Sequence, residues 1–290
     1  MDSLAYSMLK QKLMSLKADG FQAAIDTIYS IVHENSFVPV KQKKDKGTDG
    51  FLAGTTSLAV YAPEKYYLTD FKKKTKDDFI KYQKNWKTSY PVWNVVTNLD
   101  NTGEMISHVK SLYSGAELVS VSSTCDLIRN QSWSKISRIF KALGMPEMYL
   151  SYDIFMMIVE DISSFGQGMS GYGNPLYVKE KIELNIEDDE YRDSFLEEYE
   201  SYLGDFGTIQ RILGSFDPEK VRVMRFKVLS TYQTLSGNFL ERLNATTMIL
   251  SGTRSTDDFY CLHIRKILFY FFEQCLIGRK TESEKNNVSS

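Results

Sequence analysis

Gly47-Thr48-Asp49-Gly50-Phe51 is followed, after four intervening residues, by Thr56-Ser57-Leu58-Ala59-Val60-Tyr61-Ala62-Pro63. An aspartate between two glycines marks a tight turn, because Asp bonds nearby backbone and Gly accepts conformations closed to other residues. The run after it is apolar and reads as a buried strand. Working outward, residues 1–17 carry Leu4, Met8, Leu13, Met14 and Leu16 at helical spacing, and Phe21 to Glu34 repeats Ala24, Ile25, Ile28, Ile31 and Val32 with a helical period. Phe37-Val38-Pro39-Val40 reads as a strand that Pro39 confines to an edge. Phe51 to Gly54 and Leu58 to Tyr61 are the next two strands. A polar helix from Thr69 to Trp86, a strand from Val92 to Thr97, a helix from Glu104 to Tyr113 and a strand from Leu118 to Val121 complete the series. The order α-β-β-β-α-β-α-β predicts an α/β domain with a mixed sheet.

The remainder is helical in pattern. Helices are expected over Asn130 to Leu143 and Tyr149 to Phe165, separated by Gly144 and Pro146. Gly166-Gln167-Gly168-Met169-Ser170-Gly171-Tyr172-Gly173-Asn174-Pro175 is glycine-rich, but no lysine follows at phosphate-loop spacing, so it reads as a connector. Beyond it come an acidic helix over Glu187 to Leu203 and a short one over Thr208 to Leu213. Asp217-Pro218-Glu219 opens another helix running to about Leu235. Asn238 to Leu250 and the aromatic-rich Asp257 to Ile277 follow. The expected organisation is an α/β domain over 1–127, an all-α docking domain over 128–280 and a disordered tail over 281–290.

Charge divides between the two halves of the chain. Residues 1–145 hold 20 Lys and Arg against 14 Asp and Glu, a net of +6, whereas residues 146–290 hold 15 against 23, a net of −8. The excess concentrates at Lys41, Lys43, Lys44 and Lys46 and at Lys72, Lys73, Lys74 and Lys76, on both sides of Asp49. Such clusters serve either as solvated loops or as contacts to a phosphate backbone. Three widely spaced cysteines, Cys125, Cys261 and Cys275, form no CxxC pair and point to reduced thiols and a cytoplasmic location. No apolar run reaches membrane-spanning length, so no membrane partner is expected. His33, His108 and His263 stand singly, without metal-binding spacing.

The element order resembles the PD-(D/E)xK superfamily, and Gly47-Thr48-Asp49-Gly50 looks like the G-x-D-G turn of type IV restriction enzymes. A closer likeness is to the effector subunits of ABC-three-component (Lamassu-type) anti-phage systems. It is carried by Gly47-Thr48-Asp49-Gly50-Phe51, Tyr61-Ala62-Pro63-Glu64, the lysine-rich helix, Trp86 and Asn94-Val95-Val96-Thr97-Asn98, over about residues 20–125. The resemblance implies a restriction-endonuclease-like fold in a defence complex acting on phage or plasmid DNA. It also implies a C-terminal helical module that docks on an SMC/ABC-type ATPase, with a third subunit.

One departure governs the chemistry. In that superfamily the buried strand carries a carboxylate or amide and then a lysine, where this chain has Ala59 and Tyr61. Phosphodiester hydrolysis needs a divalent ion, usually Mg²⁺, held by converging oxygen ligands, and a group that activates water. Asp49 supplies one metal ligand, and Gly47 and Gly50 would let a phosphate approach it. Ala59 supplies no ligand, and a tyrosine is neutral at pH 7. Glu34, Glu64 and Lys65 are the nearest candidates to complete a rearranged catalytic site with Asp49. Three readings follow: a DNA-binding or partner-binding subunit without efficient cleavage, an active Mg²⁺-dependent endonuclease with a rearranged site, and a scaffold that binds no DNA. The first is favoured.

Overall fold

The turn Leu52-Ala53-Gly54-Thr55 sets the register of the sheet. Thr55 N–H donates to Leu52 O at 3.2 Å, and Ala53 (φ +51°) and Gly54 (φ +67°) both take the left-handed conformation. A two-residue hairpin loop needs that pair of angles to match the twist of its strands. Glycine adopts the angle freely, whereas alanine is strained there. Ala53 is exposed, so Ala53→Asn is expected to raise stability by up to about 1 kcal/mol. Thermal denaturation reads this directly; a lower melting temperature would contradict it.

The computed structural model describes residues 4–40, 46–163 and 178–279. These fall into two compact units, 1–147 and 148–290. In the first, helices α1 (Leu4–Ser15) and α2 (Ala18–His33) precede strands β1 (Phe37–Pro39), β2 (Gly50–Leu52) and β3 (Thr56–Tyr61). Helix α3 (Leu68–Asn85), strand β4 (Val92–Thr97), helix α4 (Gly103–Leu112), strand β5 (Glu117–Val119) and helices α5 (Val121–Arg129) and α6 (Trp133–Ala142) follow. The five strands form one sheet in the order β1-β2-β3-β4-β5. The first two pairings are antiparallel and the last two parallel. The expected mixed α/β sheet is therefore present, with Pro39 on an edge strand where its missing N–H costs no ladder bond.

Alternation assigns the faces. Ala59 and Tyr61 of β3 and Trp93 and Val95 of β4 lie in one apolar cluster with Phe71, Phe79 and Tyr82 of α3 and Met105 and Val109 of α4. Phe37, whose register partner is Leu52, packs its ring on Tyr29 of α2. Two expectations shift. The last strand stops at Val119, because the Ser120 hydroxyl accepts from Ser123 N–H at 3.0 Å and starts α5 instead. The units divide at Glu147, not at residue 127, because α6 packs against α2.

The second unit contains α7 (Met148–Ser163), α8 (Val178–Asn185), α9 (Asp189–Ser215), α10 (Pro218–Thr234), α11 (Phe239–Ser251) and α12 (Asp258–Glu273). The caps read from sequence form: Asp217 accepts from Glu219 N–H ahead of Pro218, and Asn238 and Glu241 make a reciprocal capping box. The two helices expected between Glu187 and Leu213 are one. Gly204 and Gly207 cost about 1 kcal/mol each inside a helix, but Phe195, Tyr199, Tyr202, Phe206, Ile209 and Ile212 form a continuous buried stripe. Each such side chain contributes about 1.5–3 kcal/mol on burial, so the stripe outweighs the glycines. Helix α8 had no clear sequence signal. It is anchored by Lys181, fully buried, whose ammonium donates to Phe272 O in the last turn of α12, where a cation complements the helix dipole.

The glycine-rich connector and the tail over 281–290 lie outside the described residues. Among the described residues no helix is long and apolar enough to cross a membrane.

Candidate nucleic-acid interface

Asp49 precedes β2 at the point where the β2–β3 ladder opens. Its N–H donates to Leu58 O at 2.7 Å, and its Oδ2 takes the Val60 N–H at 2.6 Å. The carboxylate thus stands in for the backbone carbonyl that a continuing strand would have offered. Beside it the buried Thr48 hydroxyl lies 3.0 Å from Gly50 O and accepts from Ser57 Oγ at 2.8 Å, tying the turn to β3. Removing the Asp49 side chain leaves a part-buried N–H without this acceptor, which costs about 1–3 kcal/mol. Asp49→Ala is expected to lower the denaturation midpoint, with Asp49→Asn, which keeps an acceptor oxygen, restoring most of it. An unchanged midpoint in the alanine variant would show that the carboxylate does not hold the strand.

The flanking glycines serve packing and not the approach of a phosphate. A Cβ on Gly47, at φ +87°, would stand 2.5 Å from Asp78 O, 2.7 Å from Lys81 Cβ and 2.9 Å from Tyr82 N. One on Gly50 would stand 2.6 Å from the Phe37 ring. The turn is pressed between α3 and β1.

Ala59 and Tyr61 point into the α3–α4 core. Tyr61 meets Phe71 edge-on at 5.2 Å, and burial, with Asp70 and Tyr66 nearby, raises its phenol above the usual range. It stays neutral at pH 7 and cannot replace a lysine.

The other catalytic candidates do not converge on Asp49. Glu34 follows α2 and pairs with Lys135 of α6 at 2.9 Å; that hydrogen bond and charge hold its carboxyl below the usual range. Glu64 and Lys65 are exposed at the bend after β3. Ala18 N–H, at the start of α2, donates to Ala62 O at 2.8 Å. Helix α2 then runs 16 residues to His33, roughly 24 Å at the helical rise. Glu34 and Glu64 therefore lie off opposite ends of that helix. Among the described residues no three His, Cys, Asp or Glu side chains gather as a metal site. A single carboxylate already bonded to backbone does not fit the oxygen cage that Mg²⁺ requires.

Lysines give the first unit its character. Lys41, Lys43 and Lys44 lie outside the described residues, and Lys46 is exposed beside the turn. On α3, Lys72, Lys73, Lys74 and Lys76 are all exposed. Lys74 is engaged with the buried Asp78 carboxylate at 2.7 Å. Sequence clustering missed Lys84, which continues the face begun by Lys73 and Lys76, and Lys87 just past the helix end. The signal was available: Phe79 to Leu99 contains three lysines and no acid.

Burial pushes the Cys125 thiol up to about 12. His108 Nε2 is 3.1 Å from Thr75 Oγ1, and burial lowers its pKa. No protein-family model, curated protein or solved structure matches the chain.

Proposed function

We propose that the first unit is a restriction-endonuclease-like frame that holds DNA without cutting it. The reading is carried by one observation: the strand positions that would present a metal ligand and a lysine hold Ala59 and Tyr61, packed beneath α3, while α3 turns a row of lysines outward. The strand order and the single turn aspartate support the choice of frame. Lys73, Lys76 and Lys84 share one face of α3, which also carries the exposed Asp77 and Ile80, and none of these three lysines is in an ion pair among the described residues. Phosphates bound by such a row release counterions, so affinity falls steeply with salt. In the same reading, the helical unit docks this frame on an SMC/ABC-type ATPase of an anti-phage complex.

Binding of a labelled DNA measured against salt tests the DNA part. Lys73→Gln, Lys76→Gln and Lys84→Gln should each lower the slope of log affinity against log salt by about one where the lysine contacts a phosphate. A slope unaffected by all three changes would overturn it. Co-expression with neighbouring genes tests the docking part, which fails if no ATPase co-purifies.

A further inference from the structure

Phe51 of β2 and Trp86 and Tyr90 from the segment after α3 come together as one group of rings. Phe51 stacks on Tyr90 at 3.9 Å and 15°, and Trp86 stands edge-on to both, 5.0 Å from Phe51 and 6.3 Å from Tyr90. All three are only partly buried, whereas Tyr82 and Trp93 close by in the chain are enclosed. The segment that supplies two of the three rings, Phe79 to Leu99, is free of acids, and in it the exposed Lys84 and Lys87 stand two residues before and one after Trp86; Phe51 follows Asp49 by two residues.

An enclosed core would cover these rings, and an apolar partner surface would gain nothing from lysines on both sides. Aromatic faces interleaved with cations suit a strand that alternates flat bases with phosphates. A duplex keeps its bases stacked on one another, whereas a single strand can lay them on protein rings. We propose that Phe51, Trp86 and Tyr90 form a stacking platform for the unpaired bases of single-stranded DNA, beside phosphates held by Lys84 and Lys87. This rests on the DNA-binding reading above and narrows its ligand.

The test compares the full chain binding labelled oligothymidine and a duplex of equal length by fluorescence anisotropy. The single strand should bind more tightly and quench tryptophan emission, and the duplex should not quench it. Tyr90→Leu and Phe51→Leu, which keep apolar bulk, should each weaken single-strand binding roughly fivefold or more and leave duplex binding unchanged. Unchanged single-strand affinity in folded variants overturns the platform, as does absence of quenching on the unsubstituted chain, whose readout does not depend on any variant folding. Salt-dependent duplex binding with no single-strand preference would sink the platform and leave the DNA-binding reading standing. Failure to bind either DNA would remove both.

Discussion

Replacing Gly47 by alanine is expected to lower the melting temperature of the first unit by about 10 °C. Two costs combine. Gly47 sits at φ +87°, a conformation that costs a residue with a Cβ about 1–2 kcal/mol. The added methyl would also meet the backbone of α3 at Asp78 O and Tyr82 N, 2.5 Å and 2.9 Å away. These are backbone atoms, so the strain cannot be relieved by rotating a side chain, and overpacking of this kind costs about 1–3 kcal/mol. A total of about 3 kcal/mol converts to a shift of that size in a unit this large. The effect should be confined to the transition of residues 1–147 in a circular-dichroism melt. A variant melting with the parent chain would show that the turn does not pack on α3 as described, and would reopen a direct role for its glycines at a ligand.

The second unit is expected to lose about 3 kcal/mol between pH 6.5 and pH 4 through His263. This side chain is fully buried in α12, flanked by the rings of Phe155 at 4.9 Å and Phe259 at 4.5 Å. Its Nδ1 lies 2.8 Å from Phe259 O and its Nε2 3.1 Å from Ser151 Oγ. Burial is the largest influence and lowers its pKa from 6.5 to about 4. The Phe259 carbonyl, Asp205 and Asp257 oppose the shift, and Lys266 adds to it. Above pH 6.5 the folded and unfolded chains are both neutral at this site, so its full contribution is present. As pH falls toward 4 the unfolded chain takes up a proton that the folded chain refuses, and stability drops by about 1.4 kcal/mol per unit. His263→Gln removes the difference in proton uptake. Chemical denaturation across this range should therefore show a shallower acid loss in the variant. Parallel curves would mean that His263 titrates normally in the folded unit.

The sheet was legible because alternation and an edge proline agreed. Pro39 marked the edge and apolar runs marked β3 and β4, whereas Ala53 and Gly54, read as the end of the second strand, form the hairpin turn instead. Helix α5 was not, since Val119-Ser120-Val121-Ser122-Ser123 looks like strand until the Ser120 hydroxyl is seen to cap it. The single α9 was hidden by two glycines whose cost is local, while the aromatic stripe that overrides them only counts once α12 lies beside it.

At the site, the absence of a ligand at Ala59 and of a lysine at Tyr61 was plain in the letters. That Glu34 cannot assist was not, because its distance from Glu64 is set by the length of α2 and the bond from Ala18 to Ala62. The glycine motif misled for a related reason. Spacing shows that a turn needs room but not whether a phosphate or a helix fills it. Lys84 escaped because helical spacing distributes charges that clustering detects only when contiguous, and Lys87 because it stands alone past the end of α3.

The most direct measurement incubates the purified chain with supercoiled plasmid and with single-stranded DNA in Mg²⁺ and then in Mn²⁺, beside Asp49→Asn, while binding is followed in the same buffers. The expected result is salt-dependent binding with both DNAs left intact and no difference in product between parent and variant. Cleavage by the parent chain that disappears in Asp49→Asn, with the variant still folded and still bound to DNA, would contradict the account and make Asp49 a catalytic ligand.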